Sequence, residues 1–234
     1  MRKLLIFLLL IMFGSNVNAQ FIPADAPIGK WYSKLSNESI FSSGSLKIKD
    51  VNVDSEIRYS AFFHGGVEMH YNFFKVLGMN TGLMVRNVGF INNLNDSIKL
   101  KQRSYALGIP LFLNIRIKNG LSYISFGPEL ECMFAYKQKV IHDDEKLIYH
   151  EWFSNKVQLF NPSLNFSVHM RDLFVRVKYY TRDFLDHDHQ SIKVNGQRFL
   201  LPVTESKLFY ISIGRSMGPF NRKIRHSDAV ESSY

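Results

Sequence analysis

The sequence predicts an all-β protein, an antiparallel up-and-down transmembrane β-barrel that we expect to have eight strands. Three observations favour this fold. One long stretch alternates apolar residues with small or polar ones, further segments repeat the same period, and the connections between them are alternately short and long. Bacterial outer-membrane barrels combine tilted alternating strands with short turns at one end and longer loops at the other.

Residues 103–117, RSYALGIPLFLNIRI, carry the clearest alternation. Every second position from Tyr105 to Ile117 is apolar, and the positions between them hold Ala106, Gly108, Pro110, Phe112, Asn114 and Arg116. Alternation of this kind predicts a strand with two unlike faces. A strand from 105 to 117 would be about 40 Å long at ~3.3 Å per residue, and a tilt of ~45° would let it cover about 28 Å of hydrocarbon. The length therefore favours a membrane barrel over a soluble sheet, whose strands average about five or six residues.

Seven alternating segments can be placed, at 60–73, 77–90, 102–117, 121–136, 156–169, 173–182 and 206–216. Tight turns join some of them, at 74–76, 118–120 and 170–172, and long polar loops join others, at 91–101, 137–155 and 183–205. Single-chain bacterial barrels have an even number of strands. We therefore expect an eighth strand before residue 58, with 45–49 and 29–35 as candidates, and long loops on the extracellular side.

The N-terminus has the layout of a secretory signal peptide. Arg2 and Lys3 precede an apolar run at 4–13, and Ala19 offers a small residue for cleavage. The run is too short to span a membrane as a helix. We predict a signal peptide at 1–19, an N-terminal segment at 20–57 that contains the first strand, the barrel at 58–216 and a polar periplasmic tail at 217–234. This organisation predicts export to the bacterial outer membrane.

The faces of the predicted strands place charged side chains in the lumen. On each strand the positions opposite the apolar ones carry polar residues, and seven of these are charged: Glu68, Arg86, Arg116, Glu129, Glu131, Arg176 and Lys178. The lumen of an eight-stranded barrel is just wide enough for side chains to fill it, and enclosed charges must be paired. We interpret the set as a structural salt-bridge plug, with a narrow gated pore or a lumenal ligand site as the alternative.

Composition agrees with a barrel and argues against several other classes. The chain has 20 Phe and 11 Tyr, which lipid-facing strands and aromatic girdles require. Its formal charge of +9 includes Arg2 and Lys3, and the remaining cations are spread over loops and alternate strand positions. We therefore expect these cations to bind anionic lipid headgroups of the outer membrane or nothing, with other envelope or secretion proteins as further candidate partners and no nucleic acid. The single cysteine, Cys132, lies in phase with apolar neighbours and is expected to act as a small hydrophobe.

Three prolines conflict with long strands, because proline cannot donate to a ladder of hydrogen bonds. Pro110, Pro128 and Pro162 must each lie at a bulge or near a strand end if the barrel is closed. A soluble β-sandwich broken at these prolines is the rival fold.

Residues that could carry chemistry are few. Asp183, Asp186, His187, Asp188 and His189 form a dense cluster of potential metal ligands, and 142–145 adds His-Asp-Asp-Glu. Both lie in predicted loops, where solvated charges are common, and we predict no metal and no cofactor. His150, Glu151 and Ser154 would suit an outer-leaflet lipid-modifying enzyme, but loose spacing of this kind occurs by chance. We expect no enzymatic activity.

Two short motifs carry a family resemblance. The segment 105–113, Tyr-x-Leu-x-Ile-Pro-Leu-x-Leu, and the segment 126–130, Phe-Gly-Pro-x-Leu after a short turn, resemble the Bacteroidota-type outer-membrane β-barrel family, to which PorT-like proteins belong. The resemblance covers about residues 58–216. It implies a small outer-membrane barrel, in some members one that serves protein secretion, and it supplies no catalytic residues.

Three functional classes follow. The first is a structural or interaction barrel with a role in secretion or envelope assembly, the second is a narrow solute channel, and the third is an outer-leaflet lipid-modifying enzyme. We favour the first.

Overall fold

The computed structural model describes residues 28–95, 97–117, 122–142, 145–194 and 197–218. The predicted signal peptide and residues 219–234 of the predicted tail lie outside them. In the described part the chain forms thirteen strands: β1 (Trp31–Ile48), β2 (Val51–Glu56), β3 (Arg58–Ser60), β4 (Gly65–Asn72), β5 (Leu77–Asn93), β6 (Ile98–Arg116), β7 (Ser122–His142), β8 (Glu145–Trp152), β9 (Phe160–Met170), β10 (Leu173–Tyr180), β11 (Ser191–Val194), β12 (Gln197–Leu200) and β13 (Val203–Met217). Within these residues no helix is long and apolar enough to cross a membrane.

The strands close into an antiparallel ring with eight positions. The order is β1, then the shared position of β2, β3 and β4, then β5, β6, β7, β9, β10 and β13. Pairing of β13 with β1, from Leu35 opposite Met217 to Ile48 opposite Val203, closes the ring. The predicted all-β barrel of eight strands is therefore confirmed. We call the end that carries the turns at 73–76 and 171–172 the turn end, and the opposite end the loop end.

The first strand of the barrel lies in the predicted N-terminal segment. β1 is a single strand of 18 residues, Trp31–Ile48, and it contains four of the five residues of 45–49 and five of the seven residues of 29–35. The outward positions of β1 include Ser33, Asn37, Ser39, Ser43 and Ser45, so the strand is polar on both faces over much of its length. This composition removes the alternation by which the other strands were recognised.

Two predicted loops are largely strand. β5 and β6 leave only 94–97 between them, and β7 continues to His142 before β8 returns beside it from Glu145. Beyond the apolar wall the period of two continues but its polarity reverses: Lys99 and Lys101 point outward, while Leu100 is buried. The predicted strands end too early because the outward side chains beyond the apolar wall are charged, so apolar residues no longer mark the outer face.

The prolines lie where ladders are interrupted, as the sequence predicted. Pro110 falls in a gap of the β5–β6 pairing, between Gly108 and Leu111. Pro128 falls in a gap of the β6–β7 pairing, and Pro162 lies just beyond the last β9–β10 pair. The barrel therefore stays closed without a hydrogen-bond donor at these positions.

One seam of the wall is closed by side chains. β2 pairs with β5 at Ile91–Asn93 and β4 pairs with β5 at 78–85, which leaves 86–90 without a backbone partner on that side. Arg58 donates from Nη1 to the carbonyl of Asn87 at 3.0 Å, and the Asn87 amide donates to Nδ1 of His64 at 3.1 Å. These bonds replace the missing ladder rungs.

Candidate functional site

The lumen gathers charged side chains from five positions of the ring at one level. Alternation sends every second residue of each strand inward, and the antiparallel register brings inward residues of neighbouring strands to the same height. The resulting charge network consists of Glu38, Glu68, Arg86, Glu129, Glu131, Arg176 and Lys178. These side chains are 0–2 % exposed.

Arg86 is the centre of the network. Its Nε donates to Oε1 of Glu38 at 2.6 Å, and its Nη1 donates to Oε1 of Glu131 at 3.0 Å and to the carboxylate of Glu129. One guanidinium therefore joins carboxylates from β1 and β7. Arginine suits this role because its planar fork presents several donors in fixed directions.

Arg176 and Lys178 on β10 complete the network. Arg176 reaches Glu38 at 3.3 Å and Glu68 at 3.4 Å, and its guanidinium lies 4.8 Å from the ring centroid of Phe174. Lys178 pairs with Glu129 at 3.0 Å and also with Glu131. Every carboxylate of the network thus faces at least one cation.

The structure brings together six of the seven predicted lumenal charges and adds one. Arg116 lies apart, near the turn end, where it donates to Oδ1 of Asn72 at 2.7 Å and to the Tyr32 hydroxyl at 3.1 Å. Sequence reasoning missed Glu38, because its strand had not been placed. In the sequence, Glu38 could have been recognised as the only acidic residue on the inward face of β1, two positions before Ile40, which is also inward and buried.

A glycine leaves room for the network. Gly108 is an inward position of β6, and a methyl group there would collide with the Glu129 carboxylate. This close approach explains why the inward face of β6, which carries side chains at Ala106, Pro110 and Phe112, has none at position 108.

The lumen is also filled on the turn side of the network. Tyr123 stacks on His169 with ring centroids 4.1 Å apart, and Lys34 lies over the Tyr123 ring at 5.0 Å. Lys34, Tyr123 and His169 are all buried. An aromatic ring, an imidazole and the Lys34 ammonium group therefore occupy this layer.

An apolar plug fills the lumen on the loop side of the network. Its buried members come both from strands, such as Ile40, Phe90 and Val203, and from the connections between strands, namely Val157, Phe184 and Leu185. Phe184 lies edge-on to Phe90 with ring centroids 5.4 Å apart, and its amide donates to the carbonyl of Ser206 at 2.7 Å. The predicted loop at 183–205 thus enters the barrel mouth.

Polar side chains cover the plug at the mouth. Gln190 donates to the carbonyl of Lys156 at 2.6 Å, and Gln138 donates to the carbonyl of Ser191 at 3.0 Å. Lys156 donates from Nζ to the same Ser191 carbonyl at 3.0 Å, and burial lowers its pKa. The segments 154–158 and 183–192 are therefore held to the barrel by defined hydrogen bonds.

The outer wall has the opposite character. Along β6 and just beyond it, Leu107, Ile109, Leu111, Leu113, Ile115 and Ile117 are 37–54 % exposed. At ~3.3 Å per residue and a tilt of ~45° these positions span about 23 Å, close to the ~25 Å apolar band of membrane barrels. The predicted inward and outward faces of β4, β5, β6, β7 and β10 are confirmed by burial. Cys132 is a free thiol; its side chain is half-buried and lies on the outer face of β7.

The alternative chemical sites do not assemble. Asp183 meets His187 at 3.5 Å and Asp186 meets His189 at 2.7 Å, but within the described residues no three potential ligands converge on one point. Glu151 accepts a hydrogen bond from Ser154, which lowers the pKa of its carboxyl. His150 points to the other face of β8, toward Trp152, and so does not join them.

Several solved structures are similar to this chain. The attachment invasion locus protein Ail of Yersinia pestis is 10 % identical, with 78 % of this chain and 98 % of that chain covered and a TM-score of 0.31. The Neisserial surface protein NspA is 8 % identical, with 79 % and 96 % covered and a TM-score of 0.40. The outer membrane protein OprG of Pseudomonas aeruginosa is 10 % identical, with 83 % and 98 % covered and a TM-score of 0.36. No protein-family model and no curated protein matches the sequence.

Proposed function

We propose that this chain is a non-conducting barrel of the bacterial outer membrane, with a structural or interaction role in secretion or envelope assembly. The observation that carries the proposal is the filled lumen. A water-filled passage leaves its lining side chains accessible, whereas Arg86 and Lys178 are 0 % exposed and Phe184 is also 0 % exposed in the next layer. The charge network and the apolar plug therefore fill two successive levels of the same lumen.

The outer wall supports the membrane placement. The strands close into a ring, and the exposed side chains over the central band are apolar, which suits hydrocarbon. The predicted signal peptide and the motif resemblance to the Bacteroidota-type, PorT-like family support export to the outer membrane.

The loop end supports an interaction role. Among the described residues β8 pairs with β7 alone, so its other edge offers a place where a partner strand could pair. Ile148 and Trp152 on this strand are 58 % and 62 % exposed. We propose that the loop end faces outward and that the lumen performs no catalysis.

Planar-bilayer recording tests the proposal. The reconstituted parent protein should give no discrete conductance. Phe184→Ala with Leu185→Ala should also stay silent, because the charge network below the plug remains intact, and Leu111→Ile on the outer wall is the matched control. Reproducible ion-selective steps in the parent protein would favour the solute channel instead.

A further inference from the structure

The outer wall carries a patch of cations at the loop end of β6 and β7. Outward positions of these adjacent strands hold Lys99, Lys101, Arg103, Lys137 and Lys139. In the antiparallel register Lys101 lies directly opposite Lys139, and Arg103 lies directly opposite Lys137. We call these five residues the basic patch.

Within the protein the basic patch is mostly uncompensated. Lys99 pairs with Glu56 at 2.7 Å, but no carboxylate among the described residues forms an ion pair with the other four cations. Like charges that lie directly opposite each other on neighbouring strands are destabilising. Two such pairs in adjacent rows indicate that an anion from the surroundings completes this surface.

Cations on the other side of the barrel behave differently at the same end. On β1 and β13, Lys47 meets Glu205 at 2.7 Å and Lys207 meets Asp183 at 3.3 Å. At the loop end, carboxylates of the protein therefore pair with these cations of β1 and β13, whereas among the described residues they leave four of the five cations of the basic patch without an ion pair. An even distribution of solubilising charge would not produce this contrast.

The height of the basic patch identifies the anion. Going toward the loop end along β6, the six apolar positions are followed by Tyr105 and then by Arg103, Lys101 and Lys99. Tyr105 stacks on Phe134 at 6.2 Å, and Phe134 stacks on Trp152 at 5.9 Å, which forms an aromatic cluster across three strands. Aromatic girdles mark the membrane interface, so the cations next above them lie at the level of lipid headgroups.

We propose that the basic patch binds the anionic phosphate of a lipid headgroup in the leaflet on the loop side. The guanidinium of Arg103 and the ammonium groups of Lys101, Lys137 and Lys139 would contact the phosphate, while the lipid chains lie against the apolar wall below. The inference rests on the membrane placement proposed above and does not depend on whether the lumen conducts.

The two tryptophans allow a local test, because Trp152 lies beside the basic patch and Trp31 lies at the turn end, both on the outer wall. Trp31→Phe leaves Trp152 as the only tryptophan, and Trp152→Phe leaves Trp31. Each protein is reconstituted in phosphatidylcholine vesicles that contain a minor fraction of phosphatidylglycerol. Bromine is carried on the acyl chains of one lipid or the other, and quenching reports the relative association of each lipid with each tryptophan.

For Trp152 the association constant of phosphatidylglycerol should exceed that of phosphatidylcholine roughly fivefold. This ratio corresponds to the attraction that about one lysine or arginine contributes at an anionic lipid surface. For Trp31 the ratio should be near one. Lys101→Gln with Lys139→Gln should bring the Trp152 ratio close to one, whereas Lys47→Gln with Lys207→Gln removes the same charge from compensated pairs and should leave it unchanged.

The outcomes separate the two proposals. A Trp152 ratio near one in Trp31→Phe, or a raised ratio that survives the further removal of Lys101 and Lys139, overturns the lipid site while the membrane placement stands. Absence of quenching by either brominated lipid at both tryptophans overturns the membrane placement itself. Faster migration of the unboiled variants on a denaturing gel verifies folding, and comparison of Trp31→Phe with Trp152→Phe decides the question even if a lysine variant does not fold.

Discussion

The charge network inside the barrel and the basic patch outside it use the same residue types in opposite ways. Arg86 contacts three carboxylates and is fully buried, whereas Arg103 is half-buried and faces Lys137 across the ladder. The enclosed site must contain its own counter-charges, because no solvent or lipid reaches it. In the proposed membrane placement, the outer wall would obtain its counter-charges from lipid headgroups.

The comparison shows that burial decides whether a charged side chain needs a counter-charge within the protein: a fully buried one does, and one on the outer wall does not. Removing one partner of an enclosed pair leaves an uncompensated charge in a medium of low polarity. Removing one cation from the basic patch relieves a repulsion. The two regions should therefore respond to similar substitutions with opposite signs.

Arg86→Gln should have the largest effect and should destabilise the barrel by about 3–5 kcal/mol, because Glu38, Glu129 and Glu131 lose their shared cation. The midpoint of heat-induced unfolding, followed by the gel shift between folded and unfolded barrel, measures the change. Glu129→Gln should cost less, since the network contains four carboxyl groups and three cations and one acid is removed. Equal costs for the two variants would contradict the central role of Arg86.

Leu111→Arg should destabilise the barrel by about 2–4 kcal/mol, because it places a cation on the apolar wall with neither a carboxylate nor a headgroup within reach. Leu111→Met is the matched control and should change stability little. Urea titration in lipid vesicles provides the free energy of unfolding. If Leu111→Arg is as stable as its control, this wall does not face hydrocarbon.

Ser154→Ala should destabilise the loop end by about 1 kcal/mol, since Glu151 loses a hydrogen-bond donor and the Lys156 amide loses its acceptor. The hydrogen bond lowers the pKa of Glu151 in the folded protein, so its contribution is present above the pKa of the unfolded chain and is lost as pH falls through the folded value. The protection factors of the β8 amides, which correct for the intrinsic slowing of exchange at low pH, should therefore fall on acidification in the parent protein and change less in the variant. A pH response that is identical in both would remove Glu151 from this role.

Lys101→Gln should have the smallest effect and the opposite sign. In purely zwitterionic vesicles it should stabilise the barrel by about 0.2–1 kcal/mol, because Lys139 loses its opposed like charge. Anionic lipid should diminish this advantage. The heat-induced midpoint in the two lipids measures both effects, and destabilisation in zwitterionic vesicles would show that the cations of the basic patch do not repel each other.

Much of the fold could be predicted from the residues because a closed barrel enforces a strict alternation of inward and outward side chains. Residues 105–117 alternate so regularly that the outward face and the lumenal face were both predicted as burial places them. The same rule placed Glu68, Arg86, Glu129, Glu131, Arg176 and Lys178 inside, where the structure places them. Strand extensions at 98–101 and 137–142 escaped, because the outward side chains there are charged.

By itself the sequence determined the fold class, the faces of the clear strands and most members of the charge network, since period and polarity are local properties of a strand. The tertiary structure alone decided three features. It joined Glu38 on the inconspicuous strand β1 to Arg86, it inserted Phe184 and Leu185 into the mouth, and it set Lys101 against Lys139. Each depends on which residues of distant strands come to the same height, and that height is fixed by register and ring closure, which no single strand encodes.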